Sequence, residues 1–473
     1  MNKHHVCCVP ISRRRILAAM IGAGFSMGIA GSAQAFIVDT GNPDFAVRLD
    51  TTVRYNLGFR MKDRDPDLAN NPNYDESDFL FDKHDVITNR LDLLGEFDIT
   101  WKGMVGARVS AAGWVDDAYG SKSAKNPNIA AVSYKNQEFT SDVTRYYQGP
   151  SGEFLDAFVF FNVPVGEAGT ANIKLGRHAV VWGEGLFGST NSVAYGQNPS
   201  DGRKSIANPG ASAKETALPM TQFSAVLPLS TELTMLGQYT FDWKPNRLAE
   251  GGTFFAGADI IMEGPNIGRG PAQEGDKGDV GLALKWSPAW LDGTLGVYYR
   301  KFDDKGAWAA QPNFVPPLYG VGFDTRAVYA TDVEILGVSL AKNIAGVSVA
   351  AELSQRRNGA LTSVTSSSAG PAGRWEGARG TTWHGVLNAV STFGESFLFN
   401  SASLVGELGW SHLDKVTKNE RLYRAKGTAA TCNTLAEIKG CADDDFYTAG
   451  VSFTPTWLQV MPGIDLSAPL FAS

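Results

Sequence analysis

The segment from Phe45 to Arg60 constrains this chain more than any other. Phe45, Val47, Leu49, Thr51, Val53, Tyr55, Leu57 and Phe59 alternate with Ala46, Arg48, Asp50, Thr52, Arg54, Asn56, Gly58 and Arg60. A period of two sends successive side chains to opposite faces of a strand, so one face is apolar and the other charged. Ile87, Leu91, Leu93, Phe97, Ile99 and Trp101 repeat the pattern against Thr88, Arg90, Asp92, Glu96, Asp98 and Thr100. A two-residue turn, Lys102-Gly103, leads into a third strand, with Val105, Ala107, Val109 and Ala111 opposite Arg108 and Ser110. Fifty-two glycines and 11% aromatics favour strands and turns over long helices.

Further strands are expected at about 154–163, 171–181, 220–228, 233–243, 280–286, 293–302, 331–341, 347–357, 381–393, 397–411, 446–454 and 464–470, fifteen segments in all. Leu233, Met235, Tyr239, Phe241 and Trp243 against Thr234, Gln238, Thr240 and Asp242 is another clear alternation. The segment at 154–163 is apolar on both faces and says less.

The connections alternate strictly between long (61–85, 117–153, 182–219, 244–279, 303–330, 358–380, 412–445) and short (102–103, 164–170, 229–232, 287–292, 342–346, 394–396, 455–463). Compact soluble domains seldom carry so many long loops. An up-and-down antiparallel barrel with short periplasmic turns and long outer loops has this alternation by construction. The expected fold is therefore all-β, a transmembrane up-and-down antiparallel β-barrel. Trp101 and Trp286 fall at the short-turn ends, and Trp114, Trp243, Trp383 and Trp410 at the long-loop ends, as an interfacial girdle would. The competing reading is a soluble sandwich with these aromatics in its core, but that fold would leave the charged strand faces and the loop asymmetry unexplained.

Residues 1–35 read as a signal peptide: Arg13-Arg14-Arg15, an apolar stretch from Ile16 to Ala30, then Ala33-Gln34-Ala35. The basic run also resembles a twin-arginine signal, yet ordinary export is expected because a barrel reaches its membrane unfolded. The barrel then occupies 36–473. Losing Lys3 and the three arginines leaves 38 basic against 49 acidic residues, a balance that disfavours nucleic acid. Cys432 and Cys441 remain, and a disulfide between them is expected over two free thiols in an oxidising periplasm.

A closed single-chain barrel takes an even strand number, so sixteen or more are expected and the chain reads as C-terminally incomplete beyond Phe471-Ala472-Ser473.

Little points to chemistry. Gly183-Glu184-Gly185-Leu186-Phe187-Gly188 matches a dinucleotide fingerprint, but no helix periodicity follows to hold a pyrophosphate. His84, His178, His384 and His412 lack ligand spacing, and no cofactor or metal is expected. The acidic loop Asp63, Asp65, Asp67, Asp75, Glu76, Asp78 lacks the glycine and terminal Glu of a calcium loop, so it reads as solvated. Lumen selectivity falls to Arg48, Arg54, Arg90, Asp92, Arg108, Arg300 and Arg356, with Asp50, Glu96, Asp98, Asp156, Asp242, Glu352 and Glu407 as inward acids. Opposite charges on a wet wall give a transverse field that orients polar solutes; the blander reading is that they pair and solvate the interior. Segment 182–219 carries few charges and is either a constriction folded into the lumen or a surface loop. Its neighbourhood supplies Arg177, Trp182, Glu184, Lys214 and Glu215 as constriction residues.

Gly176-Arg177-His178, Val181-Trp182-Gly183-Glu184, Asn208-Pro209-Gly210 and Lys214-Glu215 through Leu218-Pro219-Met220 resemble the central signature of the proteobacterial domain of unknown function 1302 family. Asn89 to Leu93, Trp114 to Tyr119 and Phe241-Asp242-Trp243 are similar to other stretches of it. The resemblance implies an outer-membrane barrel for passage of small, often hydrophobic or aromatic compounds, and no catalytic residues. The expected function is a porin-like channel, its partners small solutes, membrane lipid and lipopolysaccharide. The alternatives are a non-channel component serving a periplasmic or inner-membrane transport partner, and a barrel hydrolase.

Overall fold

The computed structural model describes residues 36–473 except 71–74, 121, 125–132, 188–189, 208–212, 260–262, 268–269, 308, 319–320, 364–374 and 426–440. The signal peptide, Asn208-Pro209-Gly210 and Cys432 lie outside the described residues.

The strands are β1 (Phe36–Val38), β2 (Phe45–Phe59), β3 (Val86–Trp101), β4 (Val105–Asp116), β5 (Ser151–Pro164), β6 (Thr170–His178), β7 (Met220–Pro228), β8 (Leu233–Thr240), β9 (Val280–Trp286) and β10 (Gly293–Phe302). There follow β11 (Ala309–Leu318), β12 (Val321–Val328), β13 (Val333–Ile344), β14 (Val347–Ala360), β15 (Arg379–Phe393), β16 (Ser401–Lys418), β17 (Asp445–Met461), β18 (Ile464–Ser467) and β19 (Leu470–Ala472). All fifteen expected segments form, the last split into β18 and β19.

Seventeen strands make one sheet, and β11 pairs with β12 as a separate hairpin. Each strand from β2 to β10 pairs antiparallel with its successor, β10 continues to β13, and β18 and β19 both fold back on β17. Local chemistry sets the short turns. Lys102 and Gly103 take φ of 52° and 68°, and Ala345 and Gly346 take 51° and 86°, the paired left-handed conformations whose twist matches a two-residue hairpin. Long connections fall at the opposite rim, as the alternation predicts.

The register separates the faces. Leu353, Leu387 and Leu408 are 44%, 49% and 55% exposed on the outer face, whereas Arg90, Asp92 and Glu96 are nearly buried inside. An apolar belt over every strand, with charge turned inward, fits a sheet whose outer solvent is lipid. The sheet curls on itself, because one inward loop touches β2 through Glu215 and Arg54 and β16 through Leu186 and Glu407. The protein is a transmembrane up-and-down antiparallel β-barrel.

The girdle is correct for Trp101 and Trp286, both about 40% exposed, but not for Trp114. That residue shares the inward parity of Arg108 and Ser110, is 4% exposed, and donates its indole N–H to the Arg145 carbonyl at 3.1 Å. It belongs to an aromatic cluster with Phe81, Tyr119, Tyr134, Tyr146 and Tyr147, which packs the described parts of loops 60–85, 117–150 and 241–279 against one another. Trp243 likewise turns into the loops, edge-on to Tyr329 at 4.8 Å.

Candidate functional site

β6 ends at His178, and the chain then turns into the barrel. Trp182 is 5% exposed; its backbone N–H donates to Gln197 Oε1 at 2.8 Å. Its ring lies so close to β9 that a Cβ on Gly281 would meet it at 2.8 Å, so glycine makes room for the loop there. Gly183 takes φ +81° against Glu352, a backbone state that a side chain would strain. Among the described residues no helix opens before Gly202, too far from Gly183 for the dinucleotide reading.

The barrel wall holds the loop by its backbone. Glu352 on β14 accepts from the N–H of Glu184, the N–H of Val193 at 2.9 Å and the hydroxyl of Ser192 at 3.3 Å. Glu407 on β16 accepts from the N–H groups of Leu186 at 2.5 Å and Phe187 at 3.3 Å. Arg300 on β10 donates to the carbonyls of Val193 and Tyr195 at 2.9 and 2.7 Å. Arg356 on β14 donates to the Thr190 carbonyl at 2.8 Å and lies 3.4 Å over the Tyr195 ring, whose hydroxyl donates to Asp304 at 2.6 Å. Trp182 and Val193 pack on Tyr298, Phe302, Val333 and Ile335 beneath these bonds. Charge-assisted bonds of this kind are the strong ones, and here wall acids meet backbone donors and wall arginines meet backbone acceptors.

The returning half is held on the other wall. Gln197 donates to Gln238 on β8 at 2.9 Å, and Lys204 to Glu153 on β5 at 2.8 Å. Arg247 joins Glu153 to Asp201 at 2.8 and 3.1 Å, and Arg203 pairs with Glu250. Burial costs Arg203 some of its charge stability, but Glu250 and Asp201 more than restore it and raise its pKa. Lys214 reaches Glu96 on β3 at 2.9 Å, and Glu215 reaches Arg54 on β2 at 2.7 Å. The loop therefore crosses the lumen, which decides between the two readings of 182–219.

All seven expected lumen residues face inward, but they do different work. Arg300, Arg356 and Arg54 grip the loop. Arg90 is 2% exposed, bonded to Asp92 at 3.0 Å and stacked by Trp114 and Tyr146, so it is part of the packed interior. Arg48, beside Asp50 at 2.5 Å, and Arg108, beside Asp98 at 2.7 Å, keep 54% and 28% of their side chains accessible. Of the loop residues, Trp182, Glu184, Lys214 and Glu215 are on the inward loop. Arg177 is not: it lies within β6, and the alternation puts it on the outer face with Leu175. The motif Gly176-Arg177-His178 straddles the strand end, which is why its arginine was grouped with the loop.

The acidic loop also departs from expectation. Asp63 is solvated and pairs with Lys83 at 2.7 Å, but Asp75 and Glu76 are each 1% exposed. Among the described residues no group of three His, Cys, Asp or Glu is arranged to hold a metal. Sequence reasoning missed Glu153, Asp201, Lys204, Arg203, Arg247 and Glu250, a network joining β5 to two loops, because no spacing pattern links them. The Cys432 end of the expected disulfide lies outside the described residues; Cys441 is 8% exposed.

No curated protein is significantly similar to this chain. Among solved structures, it is similar to the outer-membrane channel DcaP of Acinetobacter baumannii at 12% identity and TM-score 0.37, over 89% of this chain and 90% of that one. It is similar to OmpT, an outer-membrane protein of Vibrio cholerae, at 8% identity and TM-score 0.38, over 89% and 84%. OccD3 of Pseudomonas aeruginosa follows at 10% identity and TM-score 0.35, over 94% and 89%. The profile of the family described as protein of unknown function DUF1302 matches residues 16–473, and the chain belongs to that family.

Proposed function

We propose that this chain is a non-enzymatic channel for small solutes, whose passage runs along the β2–β6 wall beside the inward loop. The observation that carries the reading is the uneven filling of the lumen. On the β9–β16 side, Glu352, Glu407, Arg300 and Arg356 are consumed by loop backbone. On the β2–β6 side, Arg48, Asp50, Asp98 and Arg108 keep accessible side chains, and Lys214, 58% exposed, faces them from the loop.

Both signs of charge across one passage favour solutes with polar or zwitterionic groups over plain hydrocarbons. Aromatic solutes find a foothold on the same wall, where Phe158 and Phe160 turn inward and Lys174 lies 5.3 Å over the Phe158 ring. Lipid and lipopolysaccharide cover the apolar belt. In the proposal Lys214 and Arg108 set ion preference.

Conductance of the purified protein in planar bilayers tests this. Lys214→Glu and Arg108→Glu are expected to shift the anion-to-cation permeability ratio toward cations by several-fold. A protein that inserts and folds but conducts nothing, or a ratio untouched by both reversals, overturns it.

A further inference from the structure

Three outer loops meet at carboxylates that have no counter-charge. Glu76 in loop 60–85 is 1% exposed and accepts from the Ser133 N–H of loop 117–150 at 2.6 Å. Asp259 in loop 241–279 is fully buried and accepts from the N–H groups of Glu76 and Ser77 at 3.0 and 3.3 Å. Asp75, at 1% exposure, has neither carboxylate oxygen hydrogen-bonded, and Glu76 Oε2 has no partner either. No lysine, arginine or histidine forms an ion pair with any of the three among the described residues. Arg60, on the same loop, is spent on Asp78 at 2.6 Å. Tyr134 donates its hydroxyl to the Gly251 carbonyl at 2.6 Å.

Three ionised carboxylates cannot share a dry site without a cation, since each is disfavoured by burial and by its neighbours. Proton uptake is the remaining remedy. A protonated carboxyl also gains a donor, and Glu76 Oε2 has an unfilled position for one.

We infer that Asp75, Glu76 and Asp259 form a proton-operated latch that holds the outer loops together when protonated and parts them when ionised. Burial, ahead of all other causes, raises Glu76 to about 7 and Asp259 to about 6, and Asp75 also rises. The sign follows. Raised acid groups stabilise the docked loops at low pH, and that contribution is lost as pH climbs through about 6 to 7. The latched state belongs to mildly acid surroundings, and the mouth of the barrel loosens toward alkaline ones.

Leu68 and Gly257, both exposed, come from two of these loops and line one cavity of about 300 Å³. Spin labels at Leu68→Cys and Gly257→Cys in the full chain, reconstituted in liposomes, read the loop separation directly and without any dependence on conductance. The separated population is expected to grow by up to about tenfold per pH unit as pH rises toward about 7 and to level off above it, where the docked carboxyls are already ionised; in Glu76→Gln the response shifts down to the lower range set by Asp259. Asp259→Asn is the second variant, with heat-modifiable gel mobility confirming that each barrel has folded. A label distance constant from pH 5 to 9 overturns the latch, as does a Glu76→Gln protein whose response to pH matches that of the unaltered chain. Closure at pH 8 restored by calcium also overturns it, by making the cluster a cation site.

Discussion

Replacing Glu352 with alanine attacks the inward loop at its strongest point. The carboxylate receives three bonds, from Glu184 N–H, Val193 N–H and Ser192 Oγ, while only 5% exposed. Hydrogen bonds to charged groups contribute roughly 1.5–3 kcal/mol each. Water reaches the vacated site and recovers much of that, so a net loss of about 3 kcal/mol of loop anchoring is a reasonable expectation. At 1.36 kcal/mol per decade, this raises the undocked fraction of the loop by a factor of about 100. The remaining anchors, Arg300, Arg356 and Glu407, keep the loop tethered rather than free. Single-channel recordings are expected to show larger, noisier conductance, and hydrogen exchange to accelerate at the Glu184 and Val193 amides. Glu352→Gln, which keeps one acceptor oxygen, falls between. If Glu352→Ala folds normally and both conductance and exchange at those amides match the unaltered protein, the loop is not held in the way argued here.

Excision of most of 182–219 leaves the β6–β7 ladder from Asn172↔Val226 to His178↔Met220 in place, so the barrel is expected to fold and its conductance to rise several-fold in planar bilayers. Val338→Lys places a charge on the lipid face, where Val338 is 50% exposed, and is expected to cost about 2–4 kcal/mol, seen as a smaller folded fraction on heat-modifiability gels; Arg48→Ala on the wet inner face leaves that fraction unchanged. For the proposed Cys432–Cys441 disulfide, mass spectrometry after iodoacetamide is expected to show no label on the mature chain before reduction and two labels after; labelling without reductant removes the disulfide.

The barrel was legible because lipid outside and water inside impose the same period of two on almost every strand. Where that contrast fails, so does the reading. β5 looked apolar on both faces because Phe158 and Phe160 turn inward, 6.4 Å apart, with Phe158 against His178, while Phe154 and Phe161 face lipid. The β11–β12 hairpin was hidden by Pro312, Pro316 and Pro317, which demote a run to an edge strand. Trp114 was misplaced because its position near a strand end said nothing of parity. The path of 182–219 was illegible for a different reason: its anchors are remote, Glu352 standing 159 residues from Val193 and Glu407 221 from Leu186. No local pattern encodes a contact at that distance.

The lumen charges were expected either to pair with one another or to stay free for solutes, and the loop introduces a third partner. Arg300 is 2% exposed and forms no ion pair among the described residues, and Arg356 at 9% is the same. A buried guanidinium without a carboxylate is tolerable only if dipoles replace the lost water, and the carbonyls of Thr190, Val193 and Tyr195 do so. Glu352 and Glu407 solve the mirror problem with backbone N–H groups. Charged wall and loop backbone thus satisfy each other, and Lys285 adds an ion pair to the Glu184 side chain at 3.6 Å. It follows that charge on the β9–β16 wall, with Arg54, Glu96 and Glu153 opposite, sets where the loop lies, while Arg48, Asp50, Asp98 and Arg108 keep accessible side chains. Reversing Glu352 and reversing Arg108 should therefore change different observables, the first the size and noise of the conductance, the second its ion preference.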